Sequence, residues 1–125
     1  MSRIAVHTDA APQPSGAYSQ AIRAGNLIWT AGLTPVDPAT GLVAQTVAEQ
    51  TRQVLRNLSA ILQAANSSLD DVVKTTVHLA DMADFAEFNT AYAEFFTVPG
   101  PARTTVGSQL AGIKVEIDVV ATCAA

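Results

Sequence analysis

The stretch Pro101-Ala-Arg-Thr-Thr-Val-Gly-Ser-Gln-Leu-Ala-Gly-Ile-Lys-Val-Glu-Ile-Asp118 contains two runs of strand-forming residues separated by a turn. In the second run, Val115 and Ile117 fall on one parity, and Glu116 falls on the other. Successive side chains of a strand point to opposite faces of a sheet. The alternation therefore predicts a last strand over residues 114–121 with one buried face, preceded by a short strand over residues 103–106.

Arg103 is the residue of this stretch that points to a ligand. Arginine carries a planar fork of donors that fits a carboxylate or a phosphate, and it is charged at any working pH. The chain has only seven Lys and Arg residues, and no acidic residue adjoins Arg103 in sequence. The counter-charge comes either from the fold or from a ligand. An ion pair with a surface carboxylate is the commoner arrangement, because charged residues usually lie in solvent.

Outward from this stretch, apolar spacing predicts four more strands and two helices. Strands are predicted over residues 3–7, 16–23, 27–33 and 71–80, and Gly25-Asn26 is typical of a hairpin turn. Thr46 and Glu49 form a capping box, which predicts the start of a helix over residues 47–65. In the last of these four strands, Val73, Thr75, Val77 and Leu79 share one parity.

The second predicted helix follows Asp84, which is a good N-cap with Glu87 three residues on. An aromatic stripe at helical spacing identifies its apolar face, and the helix ends before Val98-Pro99. We expect this stripe to pack against a sheet rather than to bind a cofactor. The stripe consists of Phe85, Phe88, Tyr92 and Phe95.

The order of elements predicts the fold class. Three strands and a helix are followed by a strand, a helix and two strands, so two helices can cover one face of a single mixed sheet. We expect one α+β domain over residues 1–125. Only 14% of the residues are charged, against a usual fraction of roughly 25%. The sheet face without helices is therefore expected to meet another subunit.

Composition argues against several classes of function. The net charge of −4 and the lack of a basic run disfavour a nucleic-acid partner. No apolar run has the length of a membrane span, and Met1–Asp9 does not resemble a signal peptide. Cys123 is the single cysteine, and His7 and His78 lack partners at metal-ligand spacing. We expect a soluble, cytoplasmic protein without a metal, a cofactor or a membrane partner.

Seven motifs, in order along nearly the whole chain, resemble those of one known family. They are Gly16-Ala-Tyr-Ser-Gln20, Gly25-Asn-Leu-Ile28, Asp37-Pro-Ala-Thr-Gly41, Glu49-Gln-Thr-Arg-Gln-Val-Leu-Arg-Asn-Leu58, Asp71-Val-Val-Lys-Thr-Thr-Val77, Asp84-Phe-Ala-Glu-Phe-Asn89, and Pro101-Ala-Arg103 with Val115-Glu-Ile117. The chain resembles the RidA/YjgF family of reactive-intermediate (imine/enamine) deaminases. The resemblance implies a chorismate-mutase-like protomer in a homotrimer, with three sites in the clefts between subunits.

The resemblance also implies a cofactor-independent hydrolase. Its substrates would be 2-imino and 2-enamino acids such as 2-aminoacrylate and iminopyruvate, which it converts to 2-keto acids and ammonia. Arg103 would clamp the substrate carboxylate, and Glu116 would position or activate water. Tyr18 would line the site, and the backbone at Thr105 would contact the ligand. Positioning plus one acid/base group is consistent with this chemistry.

Some positions depart from the family pattern and keep a second interpretation open. Many members carry cysteine where Thr105 stands, serine where Ala31 stands and glutamine where Leu33 stands, and the loop over residues 107–114 is short. These changes alter the predicted pocket. The alternative is a protein that binds a small keto acid in the same cleft without turnover. A ribonuclease, an activity linked to some relatives, is disfavoured by the acidic composition.

Overall fold

Six strands and two α-helices make up the part of the chain described by the computed structural model, residues 2–124. The elements in chain order are β1 (Ile4–Val6), β2 (Ala21–Ala24), β3 (Leu27–Thr30), α1 (Val47–Ala64), β4 (Val72–Leu79), α2 (Phe85–Tyr92), β5 (Ala102–Gly107) and β6 (Val115–Thr122). The strands form one sheet of order β1-β2-β3-β6-β4-β5. Only β4 and β5 are paired in parallel, and α2 lies in the crossover between them. The predicted mixed sheet and α+β class are confirmed.

Both helices lie on one face of the sheet, and the hydrophobic core lies between the helices and that face. Leu58 of α1 and Phe88 of α2 are fully buried, as are Val77 of β4 and Ile117 of β6. The capping box predicted for α1 is present in part, since the Thr46 hydroxyl accepts the N–H of Glu49 at 3.1 Å. Residues of β6 on the parity of Ile117 are buried, so the predicted burial of one face of this strand is confirmed. Glu116, on the other parity, faces away from the helices.

The opposite face of the sheet carries no helix from residues 2–124, and we call it the open face. Cross-strand register places Glu116 opposite His78, and Asp118 opposite Thr76, on this face. Trp29 is half exposed there. Partial burial raises the pKa of Asp118, while the nearby His78 and Lys74 act in the opposite direction. This face therefore combines exposed apolar surface with charged groups that are partly removed from water.

Two details of β4 and α2 differ from the sequence predictions. The register shifts between Val72 and Lys74, so Val73 is exposed and Val72 takes the buried position. Such a bulge inserts one residue and reverses the parity on one side of it. Asp84 occupies the predicted N-cap position of α2, but its side chain makes no capping hydrogen bond. Asp81 instead accepts the N–H of Ala83 at 2.9 Å, and it caps a short 3₁₀ turn before α2.

The predicted strand over residues 16–23 begins later, at Ala21, because the Gln20 side chain bonds to backbone groups of the segment 8–15. The Gln20 side chain is buried, accepts the N–H of Thr8, and donates to the carbonyls of Thr8 and Pro12. A buried amide that meets several backbone groups fixes their positions. Gln20 thus ties the irregular segment 8–15 to the start of β2, which begins at Ala21.

Candidate functional site

A pocket of about 540 Å³ lies between the segment 9–20 and the chain that follows β3. Its wall is mostly apolar. The apolar lining includes Ala11, Pro12, Pro14, Ala31, Leu33, Val36 and Pro38. Asp9 and Asp37 add two acidic groups, and the lining contains no Lys or Arg. The pocket can therefore hold a small, partly apolar molecule, but it offers no cation for a carboxylate.

Tyr18, a predicted site residue, lines this pocket. Its phenolic oxygen accepts the N–H of Ser15 at 3.1 Å and lies 3.3 Å from the Ser15 hydroxyl. Hydrogen bonds from the side chain and the backbone of Ser15 hold the pKa of Tyr18 below its usual value. The negative charge of Glu116 acts on it in the opposite direction, which indicates that the two residues are neighbours. Tyr18 is about half exposed, so its ring is accessible to a ligand.

Glu116 adjoins this pocket through Gly32, although its own side chain is not part of the lining. A Cβ atom at Gly32 would lie only 2.7 Å from Glu116 Oε2, so the carboxylate rests directly against the backbone of Gly32. Gly32 lines the pocket. Among residues 2–124, Glu116 has no ion-pair partner and no side-chain hydrogen bond. His78, opposite in register, is instead bonded to the Ser108 hydroxyl at 2.8 Å. The Glu116 carboxylate is therefore available to water or a ligand.

Gly32 provides a test of this placement. Gly32→Ala would put a methyl group within the contact distance of the Glu116 carboxylate and force that carboxylate to move. A displacement of about 1 Å at a reacting group can cost on the order of a hundredfold in rate. We expect the variant to lose most of any turnover that uses this carboxylate, while circular dichroism and melting temperature change little. A folded Gly32→Ala variant with the parental turnover would contradict such a role for Glu116.

Arg103 lies elsewhere, on the helix-covered side of the edge strand β5. It is paired in register with the buried Thr75. Its guanidinium carbon is 4.7 Å from the ring centroid of Tyr92, 5.5 Å from that of Phe88 and 5.6 Å from that of Phe85. No carboxylate of residues 2–124 lies within 4.0 Å of it. An ion pair with a surface carboxylate is therefore not formed within the described chain.

Thr105 follows two residues later on the same face of β5 and is half buried. β5 is an edge strand, paired with β4 on one side only. An edge strand leaves a row of backbone N–H and C=O groups without a strand partner. The predicted backbone contact at Thr105 is compatible with this position and stays a prediction.

The four predicted site residues thus form two separate groups. Tyr18 lines the pocket and Glu116 lies behind it against Gly32, whereas Arg103 and Thr105 lie on β5, and Arg103 contacts the rings of α2. Arg103 aligns with Thr75 and Glu116 aligns with His78, three residues further along β4. Three residues of strand span about 10 Å, and the two side chains are on opposite faces of the sheet. A single protomer does not bring them to one small substrate.

The aromatic stripe has a second role that the sequence interpretation missed. Phe88 and Tyr92 are buried, as predicted, but Phe85 remains more than one-third exposed. All three rings surround the Arg103 guanidinium. The order of elements could have predicted this contact. The helix that connects two parallel strands packs across them, so its apolar stripe lies close to the second strand, here β5.

Comparison with known proteins shows which family the chain belongs to. The family model described as Endoribonuclease L-PSP matches residues 8–123. This chain belongs to the RidA/YjgF/RutC family. The RidA-like fold agrees with the layered architecture described above. No cluster of three or more potential metal-ligating side chains occurs within residues 2–124. No helix in that part of the chain has both the length and the apolar character needed to cross a bilayer.

Three relatives show how closely the chain follows the RidA/YjgF/RutC family. A RutC family protein of Pyrococcus horikoshii is 54% identical over 102 residues, which is 81% of each chain. The chloroplastic Reactive Intermediate Deaminase A of Arabidopsis thaliana is 45% identical over 94% of this chain and 64% of its own length. The crystal structure of TdcF from E. coli with bound serine superposes with a TM-score of 0.90. That match has 34% identity and covers 97% of this chain and 99% of TdcF.

Proposed function

We propose that this protein hydrolyses reactive 2-imino and 2-enamino acids to 2-keto acids and ammonia. The observation that carries the proposal is the Arg103 guanidinium, half buried on aromatic rings and unpaired with any carboxylate of residues 2–124. A fixed guanidinium without a counter-ion is suited to a carboxylate ligand, which it can bind through two parallel hydrogen bonds.

Glu116 would supply the acid/base group for the reaction. Water adds to the imine carbon as Glu116 accepts its proton, and the proton is then returned to the nitrogen. Glu116 then moves the proton of the new hydroxyl group to the same nitrogen, so that the carbon–nitrogen bond breaks, ammonia leaves, and a carbon–oxygen double bond forms in the 2-keto acid. A carboxylate clamp holds the imine carbon beside that water, and positioning of this kind lowers the barrier substantially. The hydrolysis consumes water and needs no oxidant or reductant.

Arg103 and Glu116 would act on one substrate across an interface between subunits. We infer a homotrimer, in which the β5 side of one protomer meets the pocket of the next. A closed cyclic trimer has three equal interfaces and therefore three equal sites. The open face, with Trp29 half exposed, supports self-association. Light scattering that shows a stable monomer at micromolar concentration would contradict this assembly.

The relatives favour the deaminase over the other activities named in the family. The Arabidopsis relative is named a Reactive Intermediate Deaminase, and the TdcF structure holds serine, a small amino acid with a carboxylate. The family description also names an endoribonuclease. A net charge of −4 and the acidic pocket residues Asp9 and Asp37 disfavour RNA, because phosphate-binding surfaces are basic.

An imine-decay assay tests the proposal. A dehydratase generates 2-aminoacrylate and iminopyruvate from serine, and the loss of imine is followed by absorbance with and without this protein. We expect faster decay in proportion to protein concentration, with pyruvate and ammonia in equal amounts. Unchanged decay would overturn the deaminase. If 2-oxobutanoate nevertheless binds, the protein is a keto-acid binding protein; cleavage of RNA would favour the endoribonuclease.

A further inference from the structure

Arg103 is held in a way that differs from another well-contacted arginine of the chain. Arg52, on α1, is bonded to Glu49 and Glu94, which raise its pKa and neutralise its charge. Arg103 instead lies over three uncharged rings. Aromatic faces attract a guanidinium without cancelling its charge. The rings therefore hold the Arg103 guanidinium in place, and its positive charge is still available to a ligand.

Tyr92 makes the closest of these ring contacts and is itself fixed. Its hydroxyl is 2.9 Å from the Thr75 hydroxyl in a buried hydrogen bond. Its ring packs between Phe88 and Phe96, with centroid distances of 5.4 and 4.7 Å. Thr75 is fully buried and is the register partner of Arg103 on the neighbouring strand. One hydrogen bond thus links the ring under the guanidinium to the strand residue beside Arg103.

Tyr92 is a neutral phenol at working pH, as tyrosine ordinarily is, and burial shifts its pKa further in that direction. Removal from water raises the pKa of Tyr92, and this outweighs the lowering by Thr75 and by the positive charge of Arg103. A phenolate at this position would act as a counter-ion and compete with a bound carboxylate. A neutral phenol carries no charge to compete, and its ring lies under the guanidinium while its hydroxyl bonds Thr75.

We propose that Tyr92 is a positioning residue, which holds the Arg103 guanidinium ready for a carboxylate through its ring and its bond to Thr75. This inference rests on the proposed role of Arg103 as a carboxylate clamp. Holding the long arginine side chain in place before binding reduces the rotamer freedom lost when the ligand arrives. We expect Tyr92 to affect ligand binding rather than the reaction step, because the carboxylate contact is present in both the ground state and the transition state.

Two substitutions distinguish the contribution of the Tyr92 ring from that of its hydroxyl group. Tyr92→Phe keeps the ring and removes the bond to Thr75, whereas Tyr92→Leu removes both. We expect Tyr92→Phe to raise the Kd for 2-oxobutanoate and the KM for iminopyruvate by about threefold, with little change in kcat, because uniform binding is lost. Tyr92→Leu should raise both by about tenfold. Thr75→Val should reproduce Tyr92→Phe, and it keeps the test decisive if Tyr92→Leu fails to fold.

A matched control and a double-mutant cycle distinguish positioning from general stability. Thr51→Val removes another fully buried hydroxyl, which bonds the Val47 carbonyl within α1. We expect Thr51→Val to leave the Kd unchanged. In an Arg103→Ala background, Tyr92→Phe should no longer affect the Kd, because the two residues act as one unit. A Kd rise of the same size in that background, or an equal rise in Thr51→Val, would overturn the proposal.

The binding readout also separates this inference from the deaminase. If the wild-type protein binds 2-oxobutanoate and Tyr92→Phe weakens that binding only when Arg103 is present, the positioning role is supported even without turnover. The same result without imine hydrolysis would refute the deaminase alone. Failure of the wild-type protein to bind 2-oxobutanoate would overturn the positioning role, while the imine-decay assay would still decide the deaminase.

Discussion

Replacing Arg103 by alanine is expected to lower kcat/KM for imine hydrolysis by at least about tenfold. A hydrogen bond to a charged group contributes roughly 1.5–3 kcal/mol, and about 1.4 kcal/mol corresponds to a factor of ten. Arg103→Lys keeps the charge but loses the planar fork, so it should recover only part of the loss. The measurement is the initial rate of imine decay over a range of substrate concentrations, with the Kd for 2-oxobutanoate measured in parallel.

The stability of the Arg103 variants decides between a ligand clamp and a structural residue. Arg103→Ala breaks no ion pair within residues 2–124 but loses the contacts with the α2 rings, so its melting temperature should fall only modestly. Arg52→Ala is the matched control, since it removes a contact to Glu49 within α1 and a contact from α1 to Glu94, just after α2. That variant should lower stability modestly and keep its activity per folded protein. The clamp is refuted if Arg103→Ala instead dissociates or melts the protein while its folded fraction hydrolyses imines at the parental rate.

Glu116→Gln is expected to lower kcat by about a hundredfold, because general acid–base catalysis contributes roughly 10²–10⁴. The amide keeps the shape beside Gly32 but cannot accept a proton from water. Binding of 2-oxobutanoate should be nearly unchanged, since the carboxylate of that ligand is held by Arg103. Kinetics and calorimetric titration on the same preparation provide the comparison.

Asp118→Asn is the control for Glu116→Gln. Asp118 lies two residues further along β6 on the same open face, and burial raises its pKa. Its replacement removes a similar charge without touching the pocket, so activity should persist. Equal turnover in Glu116→Gln and in the parent would assign Glu116 to an ion pair at a subunit rim instead of to catalysis.

Local sequence patterns predicted the parts of the fold that depend on local physics. The alternation around Glu116 correctly predicted its face, because burial of Val115 and Ile117 fixes the parity of β6. The capping box at Thr46 correctly predicted the start of α1. The bulge at Val73 and the tether made by Gln20 were missed, since both depend on strands and segments distant in sequence.

The relation between Arg103 and Glu116 could not be read from their separation in sequence. Both lie on strands, but register and parity place them on opposite faces of the sheet. The resemblance to the RidA family implied a site between subunits, and the separation within one protomer is what such a site requires. The contact of Arg103 with the α2 rings was also missed, because the stripe was interpreted as core alone.

Mixed oligomers test the intersubunit site most directly. Arg103→Ala and Glu116→Gln protomers, each nearly inactive alone, are unfolded together, refolded in equal amounts, and assayed for imine decay. Each mixed trimer then contains one site with an intact Arg103 from one protomer and an intact Glu116 from its neighbour. Three-quarters of the trimers are mixed, so activity should return to about a quarter of the parental value. Activity that stays at the level of the separate variants, although native mass spectrometry shows mixed trimers, would contradict the account.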